Sequence, residues 1–269
     1  MSINSIVVAI EQRAFTDSVE ENLSRVCDAI THAANLGAQL VLLPEACMMP
    51  FGYPSKNLHT YADAFAQTII RHAEKHHILA LVGMFCQGTA QKNRNTLLIA
   101  GRGLHHTYTK IHLFDAYAFR ESDHTEAGTH NVLLAIDGWV FGLALCYDIR
   151  FPQHFLTAAA HGAHAMLLAA DWAEGPQKEE QWRLLTRARA LDTTSWLLAC
   201  GQARNAANPG FGIGHSLLID PYGTIVEELG TEEGTILANL SQSVVFEARN
   251  ALPVLAHQSN APVCTVCAH

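Results

Sequence analysis

Three polar residues of this 269-residue chain stand where short segments predicted as strands end: Glu45, Lys110 and Cys146. Strand ends at one edge of an open sheet converge on ligand sites, so we expect the three side chains to meet. A thiol can attack a carbonyl carbon when a nearby carboxylate takes its proton. An ammonium group beside them can stabilise the resulting oxyanion. The three residue types are therefore sufficient for nucleophilic chemistry on an acyl group.

Cys146 precedes a predicted turn, Tyr147–Pro152, that opens a helix. Backbone N–H groups at such a turn create positive potential, which predicts a lowered thiol pKa. Another interpretation stays open for each residue taken alone. A cysteine at a strand end is more often a small buried hydrophobe, and Glu45 could be an exposed loop carboxylate. Lys110 could carry a solvated head group on a buried stem.

The amino-acid composition excludes several classes of protein. Hydrophobic residues make up 49% and charged residues 16%, which excludes a disordered or coiled-coil chain. The net charge of −8 offers no basic excess for nucleic acid. Apolar runs are too short for a membrane span, and the N-terminus lacks the basic region of a signal peptide. Seven cysteines, an odd count, favour a reduced, cytoplasmic location.

Sixteen histidines raise the question of a metal site. The chain has no HExxH motif and no second CxxC to complete a zinc site, so we expect no metal. The clusters considered are His76 with His77, His105 with His106, and the tail residues Cys264, Cys267 and His269 with His257.

Apolar runs and helical periodicity alternate along the chain, which predicts an α/β fold. Strands are predicted at Ile6–Ile10, Leu40–Leu43, Leu79–Phe85, Thr96–Ala100, His105–Thr109, Trp139–Leu145, Ala165–Ala170, Ser195–Cys200, His215–Ile219, Thr224–Glu228 and Thr235–Asn239. Helices are predicted from Asp17 to a stop at Gly37, and at Tyr61–Lys75, Gln153–His161, Lys178–Asp192 and Val244–Asn250.

Leu36–Pro44 resembles His161–Ala169: each has a helix end, a glycine and a buried strand. This similarity indicates two β/α halves, hence two packed sheets with helices on both outer faces. A Rossmann fold is disfavoured because no GxGxxG follows the first strand. A TIM barrel is disfavoured because the β-rich stretch after Cys200 breaks the β/α rhythm.

Three segments resemble the signature motifs of the nitrilase superfamily, the carbon–nitrogen hydrolases: Leu42–Ala46, Tyr108–Phe114 and Ala144–Pro152. The resemblance implies a four-layer αββα sandwich and a catalytic triad of Glu45, Lys110 and Cys146. It runs through residues 4–258, so we expect one domain, 1–258, followed by a tail, 259–269.

The same resemblance implies a second glutamate that holds Lys110 and the attacking water or leaving amine. Glu121 is the matching position, and Glu126 is the second choice. The N–H of Tyr147, together with Lys110, would form the oxyanion hole. The family resemblance also implies a homodimer and no metal or organic cofactor.

Within the superfamily, Lys110–Ser122, Asp171–Lys178 and Ala188–Thr194 resemble the Nit-type amidases. These include deaminated glutathione amidase, our first choice, and the 2-oxoglutaramate ω-amidase. Such substrates bear a carboxylate, so a cationic anchor is expected. Arg150 and Arg204 are the candidates, although each could form a structural salt bridge instead. Trp172 is a further candidate for substrate binding.

The sequence therefore predicts an amidase that works through a thioester on Cys146. Glu45 would protonate departing ammonia and then activate water. The alternatives are a nitrilase, a carbamoylase, an aliphatic amidase, an acyl-transferring enzyme of the superfamily, or a non-catalytic binding protein on the same scaffold.

Overall fold

The structure, a computed structural model, describes residues 4–53, 58–89, 92–117 and 119–257. Its strands are β1 (Ser5–Gln12), β2 (Leu40–Leu42), β3 (Leu79–Gln87), β4 (Asn93–Gly101), β5 (Leu104–Thr109), β6 (Asp115–Ala116), β7 (Phe119–Arg120), β8 (Leu133–Ile136), β9 (Trp139–Leu145), β10 (Ala165–Ala170), β11 (Trp196–Gly201), β12 (Leu217–Ile219), β13 (Ile225–Glu228) and β14 (Gly234–Ser241). Its helices are α1 (Val19–Asn35), α2 (His59–Lys75), α3 (Pro152–Ala160), α4 (Lys178–Thr193) and α5 (Gln242–Ala251).

Two six-stranded sheets form the centre of the molecule, with strand orders β14-β1-β2-β3-β4-β5 and β13-β12-β11-β10-β9-β8. Each sheet contains three parallel strands, β1 to β3 in the first and β9 to β11 in the second. Helices α1 to α4 connect the parallel strands, as parallel pairing requires. The other strand pairs are antiparallel.

Alternating side chains of the strands build three apolar layers. Leu40 and Leu42 face the other sheet, whereas Val41 faces helices α1 and α2. In the second sheet, Leu167 packs between the sheets and Leu168 packs under α3 and α4. The layers therefore run helices, sheet, sheet, helices, and the predicted αββα sandwich is confirmed.

The two similar segments occupy equivalent places in the two halves. Gly37 follows α1 and precedes β2, while Gly162 follows α3 and precedes β10. Both have a left-handed backbone, with φ of 83° and 93°, which glycine adopts without the steric cost of a Cβ. The internal similarity thus marks the same helix end in two βαβαβ units.

Some elements were missed. Strand β8 lies at a sheet edge with one fully buried residue, Leu134, so its apolar pattern is weak. Strands β6 and β7 have two residues each, too short for periodicity. The predicted boundary at residue 258 and the tail that contains Cys264, Cys267 and His269 lie outside the described residues, so the domain division stays a prediction.

No helix in the described ranges is both long and apolar enough to cross a bilayer.

Candidate active site

An open cavity lies where the ends of both sheets meet, and its empty space, together with the solvent at its mouth, is about 370 Å³. Cys146, Lys110 and Glu121 reach it from different loops. The other lining residues are mostly aromatic: Phe51, Phe114, Phe119, Tyr147, Asp171, Trp172, Ala173, Lys178 and Phe211. The structure therefore joins two predicted catalytic side chains of the first half to the cysteine of the second.

Glu45 is completely buried in the turn after β2. Its Oε1 accepts a hydrogen bond from Asn95 Nδ2 at 2.7 Å, and its Oε2 accepts one from the Asp171 N–H at 2.9 Å. The turn packs directly on Gly83 of β3, where a Cβ would lie 2.4 Å from the Pro44 carbonyl oxygen. Only glycine leaves room for this turn, so Gly83 helps to position Glu45.

Lys110 is held between two carboxylates. Its Nζ lies 2.8 Å from Oε1 of Glu45 and 2.9 Å from Oε2 of Glu121, and all three side chains are buried. Burial alone would lower the pKa of Lys110, but Glu121 and Glu45 outweigh it and raise the pKa well above its usual value. A single ammonium group therefore contacts two carboxyl groups, one more than it can pair with charge for charge.

The structure separates the two candidates for the second glutamate. Glu121 also accepts a hydrogen bond from the Phe114 N–H at 2.7 Å, which fixes its orientation toward Lys110. Glu126 instead binds Arg94 at 2.7 Å and the Thr89 N–H at the surface. These bonds, that to Arg94 foremost, lower the pKa of Glu126 to about 2. Glu121 is therefore the glutamate that lies at the cavity.

Cys146 follows β9 at the first position of a short 3₁₀ helix, with a left-handed φ of 42°. Asp148 secures this turn, since its Oδ2 accepts hydrogen bonds from the Leu145 N–H at 2.9 Å and the Tyr108 hydroxyl at 2.6 Å. Its Oδ1 accepts one from the His112 N–H at 3.0 Å. Asp148 thus ties the turn of the second sheet to the Lys110 segment of the first.

The environment of Cys146 corrects one prediction. Burial, followed by the charge of Glu45, raises the pKa of the thiol well above its usual value, although Lys110 opposes this effect. The expectation of a lowered thiol pKa was wrong because sequence alone shows neither the burial nor both carboxylates. The cysteine rests as a thiol, so its proton must leave as it attacks.

Tyr147 and Trp172 line the cavity as expected, but the two predicted arginine anchors do not. Arg150 lies beside Trp172, with its guanidinium carbon 5.3 Å from the ring centroid, and donates to Gln181 at 2.6 Å. Arg204 is half exposed and paired with Glu174 at 2.8 Å. Arg150 is close to Cys146 in the sequence and Arg204 lies in the loop after β11, yet neither side chain reaches the cavity wall.

Three residues at the site were not assigned from sequence: Asn95, Asp171 and Lys178. Asn95 donates to Glu45 and, at 3.1 Å, to Glu121, so it holds the two carboxylates together. The sequence feature that could have indicated Asn95 is its position as a polar residue inside the strand segment 93–101. Asp171 directly follows β10, the same kind of strand-end position that singled out Glu45.

Asp171 is completely buried, and its Oδ2 accepts a hydrogen bond from the Phe51 N–H at 3.1 Å. Burial and the charge of Glu45 raise the pKa of Asp171 well above its usual value. The raised pKa favours the protonated form of this side chain.

This proton makes stability pH-dependent. From about pH 4, the ordinary pKa of an aspartate, up to its raised folded pKa, the folded state keeps a proton that the unfolded state has lost. We expect the free energy of unfolding of the wild type, relative to Asp171→Asn, to fall by up to about 1.4 kcal/mol per pH unit in this window. Urea unfolding at pH 5 to 8 measures this difference. A flat or rising difference would show that Asp171 is ionised.

One group in the described part of the chain has metal-ligating residue types close together: His112, Asp148 and His154. Both Asp148 oxygens already accept hydrogen bonds, and Nε2 of His154 contacts the Leu143 carbonyl oxygen at 2.8 Å. Two of the histidine pairs noted in the sequence lie in other places. The ring of His76 packs on His72, and the side chains at 105 and 106 are exposed. The arrangement at Asp148 is that of a structural hydrogen-bond network.

Comparison with known proteins places the chain in a family. The model of the carbon–nitrogen hydrolase family matches residues 7–250. A hydrolase of Mycobacterium tuberculosis is 37% identical over 94% of this chain and 95% of its own length. The deaminated glutathione amidase of Escherichia coli O157:H7 is 32% identical over 96% of this chain and 98% of its own length.

A solved structure shows the same fold. Saccharomyces cerevisiae Nit3, a member of branch 10 of the nitrilase superfamily, superposes with a TM-score of 0.84. It is 27% identical, and the match covers 96% of this chain and 97% of Nit3. The three signature segments, the αββα sandwich and these matches agree, and the chain belongs to the carbon–nitrogen hydrolase family.

Proposed function

We propose that this protein is an amidase whose nucleophile is Cys146 and whose base is Glu45. The observation that carries the proposal is the buried cluster of Glu45, Lys110 and Glu121 at the cavity that Cys146 lines. A thiol with a raised pKa requires a base, and Glu45 is the carboxylate whose charge acts most strongly on this thiol.

In the acylation step, the sulfur of Cys146 forms a bond to the amide carbon while its proton passes to Glu45. The Lys110 ammonium and the N–H of Tyr147 stabilise the negative oxygen, because N–H groups at a helix start have no acceptor within the helix. Glu45 then gives its proton to the nitrogen, the C–N bond breaks, and the amine leaves. A thioester remains on Cys146.

In the deacylation step, water attacks the thioester carbon and gives a proton to Glu45. The C–S bond breaks, the carboxylic acid leaves, and the proton returns to the sulfur. Glu121 keeps Lys110 in place throughout, so Glu45 is not fully neutralised by the lysine and can act as a base twice. Substrate atoms and protons balance, with one water consumed per amide.

The proposed substrate is an amide that also bears a carboxylate. The resemblance to the deaminated glutathione amidase of E. coli favours deaminated glutathione. In that compound the amide nitrogen belongs to a cysteinylglycine unit, so the leaving group is the dipeptide amine and not ammonia. 2-Oxoglutaramate, the ω-amidase substrate, would form the same 2-oxo acyl thioester and release ammonia. It is the alternative substrate.

Steady-state kinetics with deaminated glutathione, 2-oxoglutaramate and propionamide test this proposal. Because a charge-assisted hydrogen bond stabilises the carboxylate substrates, we expect their kcat/KM to exceed that of propionamide by about 10- to 100-fold. Release of free amine or ammonia is the measurement.

Each other outcome has a distinct meaning. Faster hydrolysis of propionamide would identify an aliphatic amidase, and faster hydrolysis of 2-oxoglutaramate an ω-amidase. Turnover of a nitrile or a carbamoyl compound alone would contradict the amidase proposal. Binding without turnover would favour a non-catalytic protein. A homodimer and a cytoplasmic location stay predictions, which sedimentation and cell fractionation can test.

A further inference from the structure

Lys178, the first residue of α4, is a buried cation inside the cavity. The residue is only 7% exposed. Its ammonium lies 5.3 Å from the ring centroid of Phe114, 4.4 Å from that of Tyr117 and 5.5 Å from that of Trp172. Three aromatic rings therefore surround the charge and hold it at the cavity wall.

No carboxylate of the described residues lies within 4 Å of the Lys178 ammonium. Burial and the nearby Arg150 lower the pKa of Lys178, and the opposing influence comes from Cys146. Lys110, by contrast, has two carboxylate partners. Among the described residues, two lysines line the cavity, and Lys178 is the one of these two whose charge is left for a ligand.

The backbone around Lys178 adds to the positive electrostatic potential at this side of the cavity. A helix N-terminus carries partial positive charge and disfavours a cation. The position is also fixed, since the Lys178 carbonyl accepts a hydrogen bond from Trp172 Nε1 at 3.0 Å and its N–H donates to Gly175. The positive charges of Arg150 and of the helix N-terminus make the charged form of Lys178 unfavourable in the empty cavity. A bound anion would offset this repulsion.

We infer that Lys178 anchors the carboxylate of the substrate, in the role that the sequence had suggested for Arg150 or Arg204. This inference rests on the proposed amidase function. The substrate class that follows is an amide whose chain carries a carboxylate at the end remote from the scissile bond, so that Cys146 and Lys178 engage opposite ends.

The first test is independent of catalysis. Calorimetry measures the binding of glutarate, a dicarboxylate probe, to the wild type, to Lys178→Met and to Lys178→Arg. We expect Lys178→Met to weaken binding by about 10- to 100-fold and Lys178→Arg, which keeps the charge, to weaken it less. Lys75→Met, which removes an exposed lysine of α2, is the matched control and should bind like the wild type.

The second test compares glutaramate with pentanamide, which carries a methyl group in place of the carboxylate. The kcat/KM ratio of the two amides should fall by about 10- to 100-fold in Lys178→Met, through KM and with kcat nearly unchanged, because the anchor acts equally before and during reaction. Lys75→Met should keep the wild-type ratio.

The outcomes separate the two proposals. Equal glutarate affinity in the wild type and Lys178→Met overturns the anchor, whether or not either protein is active. An unchanged ratio of the two amides in Lys178→Met overturns it as well. A wild type that binds glutarate through Lys178 but hydrolyses no amide supports the anchor and contradicts the amidase function.

Discussion

Cys146→Ala is expected to reduce amide turnover by roughly 10⁴- to 10⁶-fold, because the acyl group then has no nucleophile to which it can bond. The fold should survive, since alanine keeps a Cβ of the same size at the left-handed backbone position. Circular dichroism measures the fold, and stopped assays measure turnover. Intact mass spectrometry with a slow substrate should find the acyl adduct on the wild type and none on the variant.

Cys200→Ala is the matched control for this change. Cys200 is also buried at the end of a central strand, β11, and burial likewise raises its pKa. Its sulfur points toward the Glu11 carbonyl oxygen at 3.5 Å, away from the cavity-lining set. Activity close to wild type is expected. Near-normal turnover by Cys146→Ala would rule out the thioester mechanism.

The second large effect concerns Glu121. In Glu121→Gln the pairing of Lys110 is left to Glu45 alone, which neutralises the base that must take the thiol proton. We expect turnover to fall by roughly 10²- to 10⁴-fold, the size of a general acid–base contribution. Because the Glu121 charge helps to raise the pKa of Cys146, its removal should lower that pKa. Alkylation of the thiol should therefore begin at lower pH in a slower enzyme.

Glu126→Gln provides the comparison, because Glu126 is a surface carboxylate bound to Arg94. It should leave both turnover and the alkylation profile near wild type. The assignment of Glu121 would be wrong if Glu126→Gln lost activity while Glu121→Gln kept it.

Much of the fold could be predicted because its buried strands have strong local patterns. The bounds of β9 and β10 agree with the prediction at both ends, since every residue of β10 is buried and a glycine or turn flanks each strand. The edge strand β8 could not be predicted from one buried leucine. Edge strands expose most side chains, so their pairing depends on the neighbouring strand rather than on their own composition.

Site residues could be predicted from the sequence where a reactive side chain follows directly on a strand, and less well at other positions. Glu45, Lys110 and Cys146 each stand at such a position, and the motif resemblance singled them out. The sequence could not show whether Lys178 or Arg150 binds a substrate, because both lie near Trp172 and only the tertiary structure shows that Lys178 lines the cavity. The pKa of Cys146 depends on burial and on carboxylates from other segments, which are tertiary properties.

The two sheets divide the catalytic groups between them. Glu45 and Lys110 follow strands of the first sheet, whereas Cys146 and Asp171 follow strands of the second. The apolar layer between the sheets therefore acts as a spacer that sets how far the sulfur lies from the group that accepts its proton. A misplacement of 1 Å can slow an enzyme about 100-fold. A small increase in the distance between the two sheets on warming should therefore abolish activity while every strand is still paired. The reaction rate thus reports how closely the two sheets are packed.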